Sequence, residues 1–142
     1  MTIIRTTKES DTSSLCDLFL QLGYKTHHEK IKTMLREENK ERCIVIAEIE
    51  KKVCGVIVIN FIHPIHEEGK WCVISALIID EYHRGKGIGH QLLAEAERIA
   101  INAGCTQIEL ASNERRIQAH NFYQNNGYNE VRKRFLKLII TP

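Results

Sequence analysis

The feature that most constrains this chain is a glycine-rich turn that follows an apolar stretch and opens an amphipathic helix. The turn reads His83-Arg84-Gly85-Lys86-Gly87-Ile88-Gly89. The residues before it, Trp71–Ile79, are apolar almost throughout, which predicts a strand covered on both faces. After the turn, apolar residues recur at helical spacing from about Ile88 to Asn102. Gly104 follows, as glycine often does beyond the end of a helix.

A turn of this kind is suited to holding a phosphate or pyrophosphate group. The first N–H groups of a helix have no partner within it, and the helix dipole adds about half a positive charge there. The glycines let the main chain approach a ligand closely. A Walker loop is excluded because glycine, not Ser or Thr, follows Lys86, and the dinucleotide fingerprint needs a different glycine spacing. The spacing that fits is Arg-x-x-Gly-x-Gly, at Arg84, Gly87 and Gly89. A glycine turn without a ligand stays open as an alternative.

The remaining segments predict one domain, residues 1–142, in the order β-α-α-β-β-β-α-β-α-β-β. Three consecutive strands favour antiparallel pairing, and the strand-helix-strand unit at Trp71–Ala111 favours a parallel, right-handed crossover. We therefore expect an α/β (α+β) fold with a mixed, mostly antiparallel central sheet flanked by helices. The strands are expected at Thr2–Thr6, Arg42–Ile49, Lys52–Asn60, Trp71–Ile79, Thr106–Ala111, Tyr128–Val131 and Lys133–Ile140. The helices are expected from Ser10 or Thr12 to Gly23, at His28–Glu37, at about Ile88 to Asn102, and at Arg115–Asn126.

The bulk properties exclude several classes of function. A net charge of +2 gives no reason to expect nucleic acid or an anionic membrane as a partner. There is no stretch of about 18 apolar residues, and the first residues lack the pattern of a signal peptide. The five cysteines have no metal-binding or redox spacing. We expect a cytoplasmic protein with reduced thiols and no bound metal.

Two blocks of this sequence resemble the GCN5-related N-acetyltransferase (GNAT) superfamily. The family's hallmark is a Gln/Arg-x-x-Gly-x-Gly/Ala loop between the fourth strand and the next helix, and Arg84–Gly89 matches it. The approach to the loop, Ser75–Asp80, looks like the family's Leu-x-Val-x-Pro. Further on, Ala119–Tyr128 is similar to Ala-x-x-Phe-Tyr-x-x-x-Gly-Phe. The two blocks span more than a third of the chain, and the predicted order of elements matches the family fold over the rest.

The resemblance implies acetyl-CoA as the co-substrate and direct transfer of its acetyl group to a primary amine of a small molecule or peptide. It implies that the N–H of Leu77 polarises the thioester carbonyl and that the N–H of Ile79 holds the pantetheine arm. Tyr123 is implied as the general acid that protonates the coenzyme A thiolate. The remaining cofactor-binding residues implied are Arg84, Gly85, Lys86, Gly87, Ile88 and Gly89 for the pyrophosphate, with Asn113 and Asn121 for the arm.

The sequence departs from the family where many members carry a glutamate base, because Trp71–Ala76 contains no carboxylate. A water chain is one substitute. His63, His66 and Glu67, in the polar loop predicted over Phe61–Lys70, are another, and with Tyr24 they are expected to line the acceptor site. Their alternative interpretation is as solvated loop residues.

Two other functions stay open at this point. One is a non-catalytic acyl-CoA-binding or regulatory module, which would not need Tyr123. The other is a nucleotide- or phosphate-binding domain, for which Lys86 lacks a neighbouring Ser or Thr. The sequence predicts neither the acceptor nor the oligomeric state, although a homodimer would fit the family.

Overall fold

The computed structural model describes residues 1–111, 117–131 and 134–140. The chain divides into two compact units, Met1–Ala111 and Ser112–Pro142. The first unit contains strands β1 (Thr2–Thr6), β2 (Arg42–Ile49), β3 (Lys52–Ile62), β4 (Lys70–Ile79) and β5 (Cys105–Leu110). Its helices are α1 (Thr12–Gln21), α2 (His28–Arg36) and α3 (Ile88–Asn102), and the second unit contains α4 (Ile117–Asn125).

The five strands form one sheet in the order β1-β2-β3-β4-β5. The first four are antiparallel neighbours, and β5 runs parallel to β4 after the α3 crossover. This confirms the predicted mixed, mostly antiparallel sheet. The β2–β3 hairpin is also confirmed, and it turns on Glu50 and Lys51, both with positive φ. Two left-handed residues suit a two-residue hairpin turn even without the usual Asn-Gly pair.

The two faces of the sheet are covered by different helices. One face packs against α1 and α2, where Leu15 and Leu18 bury against Ile46, Val56 and Ile78. Neighbouring residues of a strand point to opposite faces. The residue beside Val56 on β3 accordingly lies on the other face, which α3 covers.

That neighbouring residue is Gly55, and it allows α3 to lie close to the sheet. A Cβ built on Gly55 would sit 3.1 Å from the Cδ1 atoms of Ile79 and Leu92 and 3.3 Å from Cγ2 of Ile88. The side chains of Ile88 and Leu92 are fully buried here. The absence of a side chain at Gly55 therefore lets the beginning of α3 pack closely against the start of β3 and the end of β4.

The structure differs from the sequence prediction most clearly in one loop and near the end of the chain. The predicted loop over Phe61–Lys70 is shorter, because β3 continues to Ile62, where the N–H of Phe61 donates to the carbonyl of Glu41 at 2.8 Å, and β4 begins at Lys70. The predicted closing strands are not formed within 128–131 and 134–140. Apolar, β-branched residues give these segments strand propensity, but a strand also needs a hydrogen-bonded neighbour, and two strands alone are marginal in water.

Within the described ranges, no helix is long and apolar enough to cross a membrane.

Candidate active site

The edge of β4 opens just before the glycine-rich turn. Val58 pairs with Ala76 and Ile59 pairs with Ile74, which leaves Ser75 as the extra residue of a bulge in β4. The pairing of β4 with β5 ends at Ile74. Beyond the bulge, no strand of the described residues pairs with the side of β4 that faces away from β3. Strands β4 and β5 therefore separate at Ser75.

The main chain of β4 presents donors along this open edge. The N–H of Asp80 points to β3, where it donates to the carbonyl of Cys54 at 2.8 Å. Strand N–H groups alternate in direction, so those of Ile79 and Leu77 point to the opposite, open edge. The carbonyl of Ile79 lies on that edge as well and accepts from Nε of Arg84 at 3.3 Å. Leu77 and Ile79 thus place their main-chain N–H groups on the open edge of β4.

The turn that follows depends on glycine for its backbone conformation. Gly85 and Gly87 both have a φ of +79°, a left-handed conformation that costs other residues roughly 1 kcal/mol or more. A Cβ on either would meet nothing within 4 Å, so the space above both glycines is open to a ligand. Arg84 and Lys86, on either side of Gly85, are exposed and add positive charge. This open, positively charged backbone fits a pyrophosphate group.

The beginning of α3 supplies further N–H groups to the same place. Gly87 is the N-cap, and its carbonyl accepts from the N–H of Gln91 at 3.1 Å. The N–H groups of Ile88 and Gly89 therefore remain outside the hydrogen-bond ladder of the helix. The side chain of Ile88 is buried, so this residue contributes its main chain to the turn and its side chain to the core.

A side-chain bridge that the sequence did not reveal ties the end of α1 to the start of the turn. Gln21 donates from Nε2 to Asp80 at 2.7 Å and accepts at Oε1 from the N–H of Glu81 at 3.1 Å. Nδ1 of His83 lies 2.8 Å from the other oxygen of Asp80. The hydrogen bond from Gln21, followed by that from His83, holds the pKa of Asp80 below its usual range. The Gln21 contact spans 59 positions of sequence, and no local pattern marks it.

In the second unit, α4 carries the predicted general acid. Tyr123 is half-buried, and its ring packs edge-on against Phe122, with ring centroids 5.4 Å apart. The ring of Tyr128 lies 6.1 Å away, and the N–H of Tyr128 donates to the carbonyl of Tyr123 at 3.0 Å. Gly127, with a φ of +89°, lies in the turn after the helix, as predicted. This local packing fixes the Tyr123 ring at the end of α4.

The other two predicted ligands of the cofactor arm also belong to this unit. Asn121 is exposed on α4. Asn113 lies outside the described residues.

The predicted acceptor residues of the β3–β4 loop have local partners. Nε2 of His63 lies 2.8 Å from Oε2 of Glu41. His66 packs edge-on against Trp71, and Glu67 accepts from the indole N–H of Trp71 at 2.9 Å. Trp71 precedes Leu77 by six residues along β4, which is about 20 Å of extended strand. The structure therefore places His66 and Glu67 beside Trp71, at the far end of β4 from Leu77, and it places His63 beside Glu41.

Tyr24 is the predicted acceptor residue that lies outside this loop. It follows the end of α1, where its N–H donates to the carbonyl of Phe19 at 3.1 Å. Its side chain is exposed. Gln21, three residues earlier, is the residue that bridges to Asp80. Of the four acceptor residues predicted from the sequence, Tyr24 is the nearest along the chain to the Gln21–Asp80 bridge.

Comparison with known proteins identifies the family. The model of the acetyltransferase (GNAT) family matches residues 12–128. The chain is 31% identical over 137 residues to an aminoalkylphosphonate N-acetyltransferase of Salmonella typhimurium, covering 94% of this chain and 88% of that protein.

Solved structures agree on the fold. A GNAT family acetyltransferase of Staphylococcus aureus superposes with a TM-score of 0.81 at 26% identity, covering 97% of this chain and 98% of the other. An aminoglycoside N-acetyltransferase in complex with CoA superposes with a TM-score of 0.85 at 16% identity, covering 99% and 96%. This chain belongs to the acetyltransferase (GNAT) family, and it is an N-acetyltransferase that transfers the acetyl group of acetyl-CoA to an amine.

Proposed function

We propose that this protein acetylates the primary amine of a small molecule, and that this molecule is a short aminoalkylphosphonate. The observation that supports acetyl transfer is the open edge of β4, which presents the N–H groups of Leu77 and Ile79. The glycine-rich turn with Gly85 and Gly87 follows this strand in the chain. The acceptor class is supported by the 31% identity to the Salmonella typhimurium enzyme over nearly the whole chain.

Acetyl transfer to an amine requires proton removal, carbonyl polarisation and protonation of the leaving sulfur. An alkylamine with a pKa of about 10.4 is almost entirely protonated at neutral pH, so it must lose a proton before it attacks. The neutral nitrogen then forms a bond to the thioester carbon while the carbon–sulfur bond breaks, and the nitrogen releases a second proton to solvent as the amide forms. In this proposal the N–H of Leu77 polarises the carbonyl, the N–H of Ile79 holds the pantetheine arm, and Tyr123 gives a proton to the leaving sulfur.

The turn Arg84–Gly89 holds the pyrophosphate in this proposal, and Asn113 and Asn121 hold the arm. Holding both reactants together contributes much of the remaining rate. We also propose that residues 1–142 act as one catalytic domain. The family match over residues 12–128 supports this, because it runs through the boundary between the two compact units at Ala111. A cytoplasmic location belongs to the same proposal and is supported by five free cysteines.

The cofactor assignment is tested by calorimetric titration of acetyl-CoA. We expect Gly87→Glu to weaken binding at least tenfold, because its carboxylate would repel the pyrophosphate and its side chain would strain the turn. Gly104→Glu is the matched control. Gly104 is also left-handed, with a φ of +83° and open space around a Cβ, but it lies beyond the other end of α3. Equal loss in both variants, or no binding by the folded wild type, would contradict the assignment.

The acceptor is tested by following thiol release with 2-aminoethylphosphonate and with propylamine, a primary amine of similar size that has no anionic group. We expect a higher kcat/KM for the phosphonate. Acetyl-CoA binding without turnover of either amine would favour the non-catalytic module. Equal kcat/KM values for the two amines would contradict the acceptor class.

A further inference from the structure

Three polar side chains form a line across β2, β3 and β4 that ends beside the open edge. Arg42 and Asn60 are direct partners in the β2–β3 pairing. Nδ2 of Asn60 donates to Oγ of Ser75 at 2.9 Å. We call Arg42, Asn60 and Ser75 the polar strip. Arg42 and Asn60 are half-buried, whereas Ser75 is exposed.

The polar strip lies on the face of the sheet from which a ligand can reach the N–H of Leu77. Asn60 follows Val58 by two residues on β3 and therefore points to the same face, which α1 and α2 cover in part. On the opposite face, α3 packs on Gly55, which pairs with Ile79, two residues beyond Leu77 on β4, and it leaves no room for a Cβ there without movement. Ser75 precedes Leu77 by two residues, about 7 Å of extended strand. A molecule on the polar strip therefore reaches the N–H of Leu77 from the uncovered side.

The bulge is what places Ser75 in this position. Without the extra residue, the alternation along β4 would direct Ser75 and Leu77 to one face. The register shift keeps Ile74 and Leu77 on the α3 face and turns Ser75 towards Asn60. Oγ of Ser75 also lies 3.5 Å from the carbonyl oxygen of Val58. The hydroxyl is thus held on the open face directly before the separation of β4 and β5.

The chemistry of the strip selects for a particular kind of acceptor. The side-chain carbonyl of Asn60 and the hydroxyl of Ser75 are neutral hydrogen-bond acceptors suited to the N–H groups of an amine. Arg42 carries a guanidinium, whose planar fork of donors binds phosphonate or carboxylate oxygens. The acid next to it in sequence, Glu41, is paired with His63 at 2.8 Å. The strip itself has no carboxylate and would repel an acceptor with several positive charges.

We propose that the polar strip is the acceptor subsite and that it takes a short aminoalkyl anion. Arg42 binds the anionic group, while Asn60 and Ser75 hold the amine next to the N–H of Leu77. The balanced reaction is R–NH₃⁺ plus the acetyl thioester giving the acetamide, the free thiol and one proton released to solvent. This inference rests on the proposed function, and it assigns the specificity for an anionic acceptor to residues of this chain.

The test compares kcat/KM for 2-aminoethylphosphonate and propylamine in the wild type and in two charge variants. Arg42→Gln removes the guanidinium, and Asn60→Asp adds a negative charge beside it with almost no change in shape. We expect each to raise the KM for the phosphonate at least tenfold. The KM for acetyl-CoA should stay within twofold, and Arg42→Gln should leave kcat/KM for propylamine within threefold. Arg42→Lys should recover only part of the loss, because an ammonium lacks the bidentate fork.

Lys52→Gln is the matched control, since it removes one positive charge from an exposed position at the far end of β3. It should not change the preference between the two amines. Unchanged preference in both Arg42→Gln and Asn60→Asp would overturn the subsite while leaving the proposed function intact. A wild type that binds acetyl-CoA but acetylates neither amine would overturn both the acceptor class and the subsite.

Discussion

At the scale of single residues, a part-buried cluster of charged side chains around Arg5 holds β1 to β2 and to the start of α1. Two guanidinium nitrogens of Arg5 donate to the two oxygens of Asp11, each at 2.9 Å, and Nε of Arg5 donates to Glu48 at 2.7 Å. The N–H of Lys8 also donates to Asp11 at 2.7 Å. Burial raises the pKa of Asp11, but the hydrogen bonds from Arg5 and Lys8 outweigh it, so the net shift is downwards.

This downward shift predicts how stability depends on pH. The carboxylate of Asp11 stabilises the fold fully above its unfolded pKa of 3.8, and the stabilisation is lost as pH falls through the lower folded value. We expect Asp11→Asn to lower the free energy of unfolding by about 2 kcal/mol at pH 7, because it removes one partner of a largely buried ion pair. The difference from wild type should shrink below pH 4. Urea unfolding of both proteins between pH 7 and pH 2.5 measures it, and a difference that does not change with pH would count against this role for Asp11.

At the scale of elements, local patterns predicted most of the first unit. The bounds of β2 and α3 agree with those expected from the sequence, because β-branched runs and helical spacing were each bounded by clear breaks. The bulge at Ser75 was not predicted, since it appears only when the registers of two strands are compared. The Gln21–Asp80 bridge joins distant parts of the chain and leaves no local pattern. Strand formation also depends on distant neighbours. The apolar residues near the end of the chain therefore predicted strands that the structure does not form within 128–131 and 134–140.

A substitution at Gly55 tests whether the close packing of α3 on the sheet holds the glycine-rich turn in place. A methyl group there would press on Cδ1 of Ile79 and of Leu92 at 3.1 Å, tighter than ordinary contact. We expect Gly55→Ala to cost about 1 kcal/mol of stability and to weaken acetyl-CoA binding severalfold, because it pushes the beginning of α3 outwards. Adding Ile79→Val removes the contacting Cδ1 atom and should restore part of both losses. Urea unfolding and calorimetry on both variants measure this coupling, and purely additive effects would show that the contact is not the cause.

At the scale of the whole molecule, the residues named in the proposed reaction are divided between the two compact units. The main-chain donors of Leu77 and Ile79 and the glycine-rich turn belong to Met1–Ala111, whereas the phenol of Tyr123 belongs to Ser112–Pro142. Binding of acetyl-CoA and polarisation of its carbonyl are assigned mainly to the first unit. Protonation of the leaving sulfur is assigned to the second. A defect in the second unit should therefore slow the chemical step more than it weakens binding.

Tyr123→Phe separates these two contributions, because it removes one hydroxyl and keeps the ring that packs on Phe122. We expect kcat to fall about 10²- to 10⁴-fold, the usual contribution of a general acid, while the Kd for acetyl-CoA changes less than threefold. Tyr128→Phe is the matched control, since its ring lies 6.1 Å from that of Tyr123 in the same unit. It should leave kcat within threefold. Rapid-quench measurement of a single turnover, alongside calorimetry, distinguishes slow chemistry from slow product release. Equal losses in the two variants would indicate a packing effect, and a nearly unchanged kcat in Tyr123→Phe would mean that the sulfur receives its proton from another group.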